Sequence, residues 1–356
     1  MEGDHFYNIN IENLKISENQ ANKNTVWAFW DTLENTSLDS ISLFIDKTLS
    51  LDFKWFGFDP INKLQGTDEF INDFWKPLKE SFPDIKREMH IFMGGESNGR
   101  IDGNLALDGK MWVSGTGYFN ATFEKDYLNI PATGEQVCIR WGEFCKMENG
   151  KIVEIYFLLD LIDLMQQAGV EVLPPSRGKD GLYPPPDAND GVMQQAQDGV
   201  TSAYSLEHIR KFIFEGLNSF DQSNLKSMGM ADFFSPEVQW YGPGGIGACL
   251  SFKEFQDYHQ QPWLVAYPDR QVQNLDALIA EGNFSGGPGW AGVKATHTGP
   301  YLNCPATSKS VEFNGLDWWK REGEMYIENW VFVDMVHLFR QFDIDLFERM
   351  EVLKNK

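Results

Sequence analysis

The spacing of apolar residues changes period along the chain. In "NTVWAFWDTL", Val26, Phe29, Trp30 and Leu33 share one helical face, and Ile209, Phe212, Ile213 and Leu217 repeat the arrangement far downstream. A second helix follows in the first stretch, with Phe70, Phe74 and Leu78 at four-residue spacing and Pro83 to stop it. Beyond it the period becomes two, punctuated by turn residues, as far as a last strand and a short helix. Helices first and strands afterwards predict an α+β fold, with helices packed on one face of a curved antiparallel sheet. The last strands are "KIVEIYFLLDLIDLM" and "MYIENWVFVDMVHLF". Glu154, Tyr156, Leu158 and Asp160 share one face of the first, and Glu328, Trp330, Phe332 and Asp334 one face of the second. The opposite faces (Ile155, Phe157, Leu159; Val331, Val333) are apolar too, so each strand needs cover on both sides. Helices supply one cover. The sheet of the other half can supply the second.

Self-similarity explains why the pattern occurs twice. Residues 54–84 align with 239–269 without a gap, matching Trp55 to Trp240, Gly57 to Gly242, Phe70 to Phe255 and Asp84 to Asp269. The alignment resumes over 127–169 and 301–343, opening on "YLNIPATGEQV" and "YLNCPATSKSV". These read as a hairpin turn, with Asn and Pro fixing the bend. The chain is therefore expected to be a tandem duplication: an N-terminal arm (1–20), a first domain (21–172), a Pro/Gly-rich linker (173–200) and a second domain (201–356). The linker stretch "LPPSRGKDGLYPPPDANDG" forbids regular structure and favours an extended path.

Composition narrows the function. The 356 residues carry a formal charge of −22, and neither half is basic: 17 Lys/Arg stand against 29 Asp/Glu in residues 1–185, and 13 against 23 in the rest. A phosphate backbone finds no cationic footprint on such a chain, and an anionic lipid surface repels it. Nucleic acid and membrane are not expected partners. Cys138, Cys145, Cys249 and Cys304 form no CxxC pair, and no His/Cys cluster has zinc spacing, so no metal is expected. "MEGDHFYNIN" lacks the features of a signal peptide, and a cytoplasmic setting is expected.

The stretches "FPD" and "YPD", "THTG" with "YLNCPAT", "ENGKIVEIYFLLD" and "REGEMYIENWVFVD" resemble the SnoaL-like polyketide cyclase family. The resemblance covers about 25–172 and 205–350. It implies two α+β cones of the kind shared with nuclear transport factor 2 and ketosteroid isomerase. It also implies ring closure or proton transfer on a small hydrophobic, carbonyl-containing molecule, by acid/base chemistry without metal or cofactor. The family's W-x-x-x-D aspartate falls on Asp334 after Trp330, and on Asp160 after Tyr156 in the first half. Its Thr-His-x-Gly histidine falls on His297, against which the first half sets Gly117. Where many members carry a histidine, both halves have tryptophan, Trp55 and Trp240.

Asp334 is thus the expected proton-transfer group, His297 its electrophilic helper and Asp160 a second candidate. Trp240, Tyr241, Trp330, Trp55, Tyr156 and His259 are the expected pocket residues. Each aspartate also stands just before a helical pattern, where it serves equally well as an N-cap. Glu143 and Asp317 occupy matching strand positions and read as exposed carboxylates. "GPGGIG" at 242–247 satisfies G-x-G-x-x-G but has no βαβ unit around it, so it reads as a loop. A non-catalytic small-molecule receptacle of the same fold is the alternative to an enzyme. The two halves are expected to pair as a covalent counterpart of a homodimer, with further homo-oligomerisation open.

Overall fold

The computed structural model describes residues 3–98, 108–219, 229–273 and 275–354. The first half opens with helix α1, Gly3–Asn35, whose first turns are the expected N-terminal arm (residues 1 and 2 of that arm lie outside the described residues). Its sheet is built from β1 (Leu49–Phe56), β2 (Lys63–Gln65), β3 (Lys86–Glu96), β4 (Met111–Thr122), β5 (Gln136–Glu148) and β6 (Lys151–Leu159), in the order β2-β1-β6-β5-β4-β3. The second sheet uses β7 (Phe234–Tyr241), β8 (Ala248–Cys249), β9 (Gln271–Val272), β10 (Ile279–Glu281), β11 (Phe284–Thr296), β12 (Ser310–Glu322) and β13 (Met325–Val333). Its order is β10-β11-β12-β13-β7-β8, with β9 against β11. Reading β7 as β1 and β13 as β6, the two sheets have one topology.

The sheets are mixed, which corrects the antiparallel expectation. β1 runs parallel to β6, and β7 parallel to β13. Neither pair is joined by a hairpin. A helical stretch and four strands separate β1 from β6, and only so long a return lets neighbouring strands run the same way.

The repeated turn closes identically in both halves. Tyr127 and Ile130 exchange backbone hydrogen bonds of 3.1 and 2.8 Å, as Tyr301 and Cys304 do at 2.9 and 2.8 Å. The central residues have positive φ: Leu128 51° and Asn129 64°, Leu302 46° and Asn303 61°. That is a type I′ turn, whose twist suits the hairpin and whose second position favours Asn.

The helices cover one face of each sheet, and the other faces meet. Trp318 on β12 stacks on Phe144 of β5 with ring centres 4.9 Å apart, and its Nε1 donates to Ser114 Oγ of β4 at 2.8 Å. Gly142 lets the ring in, since a Cβ there would lie 2.6 Å from the Trp318 ring. The Pro/Gly-rich linker threads this junction. Tyr183 is buried with its hydroxyl 2.7 Å from Thr116 Oγ1, Pro184 O accepts from Trp330 Nε1, and Gly191 O accepts from Phe92 N. Helix α1 ties the same seam: buried Lys23 pairs with Glu281 at 2.6 Å and donates to Met193 O at 2.8 Å. Among the described residues no helix is long and apolar enough to cross a membrane.

Candidate functional site

Asp160 and Asp334 cap the helices Leu161–Gln167 and Met335–Gln341. Asp160 Oδ1 accepts from Asp163 N at 3.0 Å, and Asp334 Oδ1 from His337 N at 3.0 Å. Their second oxygens reach across the molecule: Asp160 Oδ2 accepts from Gly244 N and Asp334 Oδ2 from Asp59 N, each at 2.8 Å. Residues 59 and 244 are equivalent in the alignment of the halves, so the two bonds are one interaction made twice. Arg140 adds a 3.3 Å contact to Asp160. Burial pushes the Asp334 carboxyl up to about 7 against its two N–H donors. Neither aspartate borders the cavity described below. Both aspartates are therefore N-caps.

The other expected residues divide by strand face. On β13, Val331, Val333 and Asn329 look into the second cone, whereas Trp330 packs on Tyr241 at 5.5 Å and bonds the linker. Tyr241 and Trp330 therefore belong to the junction: they pair across β7 and β13, and alternation turns each away from its cavity-lining neighbour, Trp240 or Val331. Tyr156 stacks on Phe56 at 4.7 Å and donates to Asp276 of the second half. Trp55 lies inside the first cone, stacked on Phe74 at 4.6 Å. His297 is fully buried, its Nδ1 3.0 Å from Thr307 Oγ1 of the repeated turn and its ring stacked on Phe342 at 4.2 Å. Burial lowers its pKa and holds it neutral, outside the cavity lining. Strand register also pairs it differently. Ser310 faces Thr296 as Gln136 faces Thr122, so the counterpart of His297 is Phe123 and not Gly117.

Trp240 and His259 do line a cavity, of about 160 Å³, inside the second cone. His259 lies between Trp240 (4.2 Å, 17° between rings) and Trp263 (5.3 Å, 24°), forming a flat three-ring stack. It stands in a π-helical stretch, Phe255–Gln260, and the first half has the same stretch at Phe70–Trp75 with Phe74 in the histidine's place. Widened turns of this kind recur at functional sites. Burial, and secondarily the Arg270 charge, lower His259 to about 3, so its ring is neutral at ordinary pH. Arg270 also borders the cavity, over the Trp263 ring at 5.1 Å, with Nη1 donating to Leu217 O at 3.2 Å.

Asp317 on β12 enters the same cavity and is the residue that sequence reasoning passed over. Burial pushes its carboxyl up to about 7, opposed by a hydrogen bond from Asn329. Its counterpart Glu143 is treated very differently. Trp30 Nε1 donates to it at 2.9 Å, Arg87 Nη2 approaches at 3.5 Å and Cys145 Sγ lies 3.1 Å away. One carboxylate is locked in a polar clamp. The other faces an apolar space.

The clamp belongs to a systematic difference. The first cone is filled by Trp30, Trp75, Arg87, Phe119 and Trp141, with Arg87 4.9 Å from the Trp141 ring and Trp30 5.4 Å from it. The equivalent positions in the second half are Ile213, Gln260, Val272, Val293 and Gly315, and all five border the cavity. Aligned residue by residue, these substitutions could have revealed the site.

Among the described residues no three His, Cys, Asp or Glu side chains stand close enough to hold a metal ion. Residues 217–342, which enclose most of the cavity, match the family model described as SnoaL-like polyketide cyclase. No curated protein matches the chain. Solved structures similar to it include AclR from Streptomyces galilaeus, 19% identical, covering 40% of this chain and 83% of its own, with a TM-score of 0.33. A SnoaL-like polyketide cyclase from Agrobacterium tumefaciens is 16% identical over 38% of this chain and 97% of its own, TM-score 0.30. An NTF2-like protein from Burkholderia thailandensis is 18% identical over 39% and 96%, TM-score 0.31.

Proposed function

We propose that this chain, whose second half belongs to the SnoaL-like polyketide cyclase family, performs acid/base chemistry on a small carbonyl compound in the cavity of its second cone. One observation carries the reading: Asp317 presents a carboxyl raised to about 7 to an otherwise mostly apolar space. A base works best when its pKa lies near the working pH, and burial has tuned this one there. Ionised Asp317 takes a proton from the carbon next to the substrate carbonyl, leaving an enolate. Neutral His259 lines the same space and can donate a hydrogen bond to the enolate oxygen without adding charge. The enolate then recovers the proton at another carbon, giving isomerisation, or attacks a second carbonyl of the same molecule, closing a ring whose alkoxide oxygen takes the proton back from Asp317. Asn329 holds the carboxylate in place. Asp334, Asp160 and His297 are assigned to scaffolding. The alternative of a non-catalytic receptacle draws on the apolar lining and the flat ring stack, which also suit plain binding.

The two cones, in this reading, are the covalent counterpart of a homodimer in which one copy kept its cavity and the other was filled. The reciprocal bonds from Asp59 to Asp334 and from Gly244 to Asp160 support it. We place the protein in the cytoplasm, where four unpaired cysteines are at home.

The test is exchange of substrate α-protons in D2O, followed by NMR. Asp317→Asn should slow exchange at least about a hundredfold with the fold intact. Asp334→Asn, which keeps a capping oxygen, should leave exchange within a few-fold of the parent. Loss with Asp334→Asn and retention with Asp317→Asn would reverse the assignment. Saturable binding with no exchange in any form would establish the receptacle reading.

A further inference from the structure

The size of the cavity and the residues that set it point to a narrower substrate class than the family description implies. We infer that the second cone accepts a molecule built on a single six-membered ring, or an open chain of that bulk, and excludes fused polycyclic compounds. This rests on the proposed function for the carbonyl and goes beyond it in size and shape.

Volume limits the ligand. An apolar protein cavity of about 150 Å³ holds one benzene, and the second cone offers about 160 Å³. Two fused rings carry ten ring atoms to one ring's six, and a close-packed interior supplies the extra space only by moving side chains off their rotamers.

One wall of the cavity is rigid. Trp240, His259 and Trp263 form a stack whose neighbouring planes are 17° and 24° apart. Aromatic side chains packed this way are held on several sides. Trp240 also meets Phe255 at 5.6 Å, and Trp263 meets Phe313 at 5.8 Å and Tyr267 at 6.5 Å. Widening the cavity on that side means displacing a connected group of rings.

The first half is an internal control. There Trp30 and Phe119 occupy the positions held by Ile213 and Val293 in the second half, and both pack inside the same fold without breaking it. Ile213 and Val293 are therefore specificity-determining residues. Their modest bulk leaves room for one ring, and the larger residues already present in the sister cone remove it.

The experiment measures binding and chemistry separately, on the full chain. Cyclohexanone, 1-tetralone and anthrone, with one, two and three rings, are titrated by calorimetry, and α-proton exchange in D2O is followed for cyclohexanone and 1-tetralone. Cyclohexanone should bind saturably, and the two larger ketones at least about tenfold more weakly, since even one surplus methylene costs a pocket roughly 10–200-fold. Ile213→Trp and Val293→Phe should each weaken cyclohexanone binding about tenfold or more, with circular dichroism unchanged. Using two variants guards against one that fails to fold. Binding of anthrone as tight as cyclohexanone would overturn the inference, as would no measurable cyclohexanone binding or full retention in both folded variants. Cyclohexanone binding without exchange supports the size limit while removing the acid/base reading. Exchange of 1-tetralone as fast as cyclohexanone does the reverse.

Discussion

At the scale of single residues, the instructive pair is Asp317 and Glu143. They share a strand position and differ in surroundings: Trp30 and Arg87 clamp the glutamate, while Asn329 and an apolar space face the aspartate. Folding raises Asp317 from 3.8 to about 7. Its protonated form is thus favoured in the native state, a stabilisation complete below about pH 4 and lost as the pH rises through about 7. The urea midpoint of the parent should fall across that window relative to Asp317→Asn, whose curve lacks this step. Catalysis should run the other way, with kcat/KM rising to a plateau above a limb near 7, because the base must be ionised. A limb near 4, or equal pH profiles for stability in both proteins, would deny Asp317 its raised pKa. The candidate residues were visible in the chain, and Asp334 drew attention because it ends an apolar run. What one line of sequence does not carry is the environment. Asp317 sits between Leu316 and Trp318, much as Asp334 sits between Val333 and Met335, and only packing tells a cap from a cavity group.

At the scale of elements, period-two alternation separated the two faces of β13 correctly but could not say which faced the cavity, since Val331 and Trp330 are both apolar. The β1–β6 and β7–β13 pairs, parallel against expectation, were hidden for a related reason: strand direction depends on the path of the chain and not on local pattern. The duplicated turn was legible because its chemistry is local. In "YLNC", Asn303 holds φ 61°, a region that costs most L-residues about 1–2 kcal/mol. Asn303→Ala should therefore lower stability by about 1 kcal/mol in urea titration, and Asn303→Gly by much less. Equal losses would assign the position to side-chain contacts.

At the scale of the molecule, the two halves share one core. Trp318 is fully buried in the seam, touching Phe144 and Ser114 of the first half and Phe332 of the second. Its removal leaves a cavity that belongs to both sheets. Trp318→Ala should cost about 3–5 kcal/mol, and calorimetry should still show one transition, moved to lower temperature as a unit. Two separated transitions would mean that the cones are thermodynamically independent. The internal repeat was readable from Trp55 and Trp240 onward, and so was the need for a second cover on each last strand. The filling of the first cone was present in the same alignment, in Trp141 opposite Gly315, but its meaning depends on three-dimensional neighbours such as Trp30 and Arg87.

The crossed bonds between the halves also give the protein a timetable. Asp160 receives its second N–H from Gly244, 84 residues later in the chain. A ribosome adding about 5–20 residues per second takes roughly 4–17 s to make that stretch. For that interval the first cone exists without the donor that completes its cap and without Trp318 to cover Gly142, Phe144 and Ser114. Trp318 follows 74 residues after Gly244, so that face stays uncovered well after the cap of Asp160 can be completed.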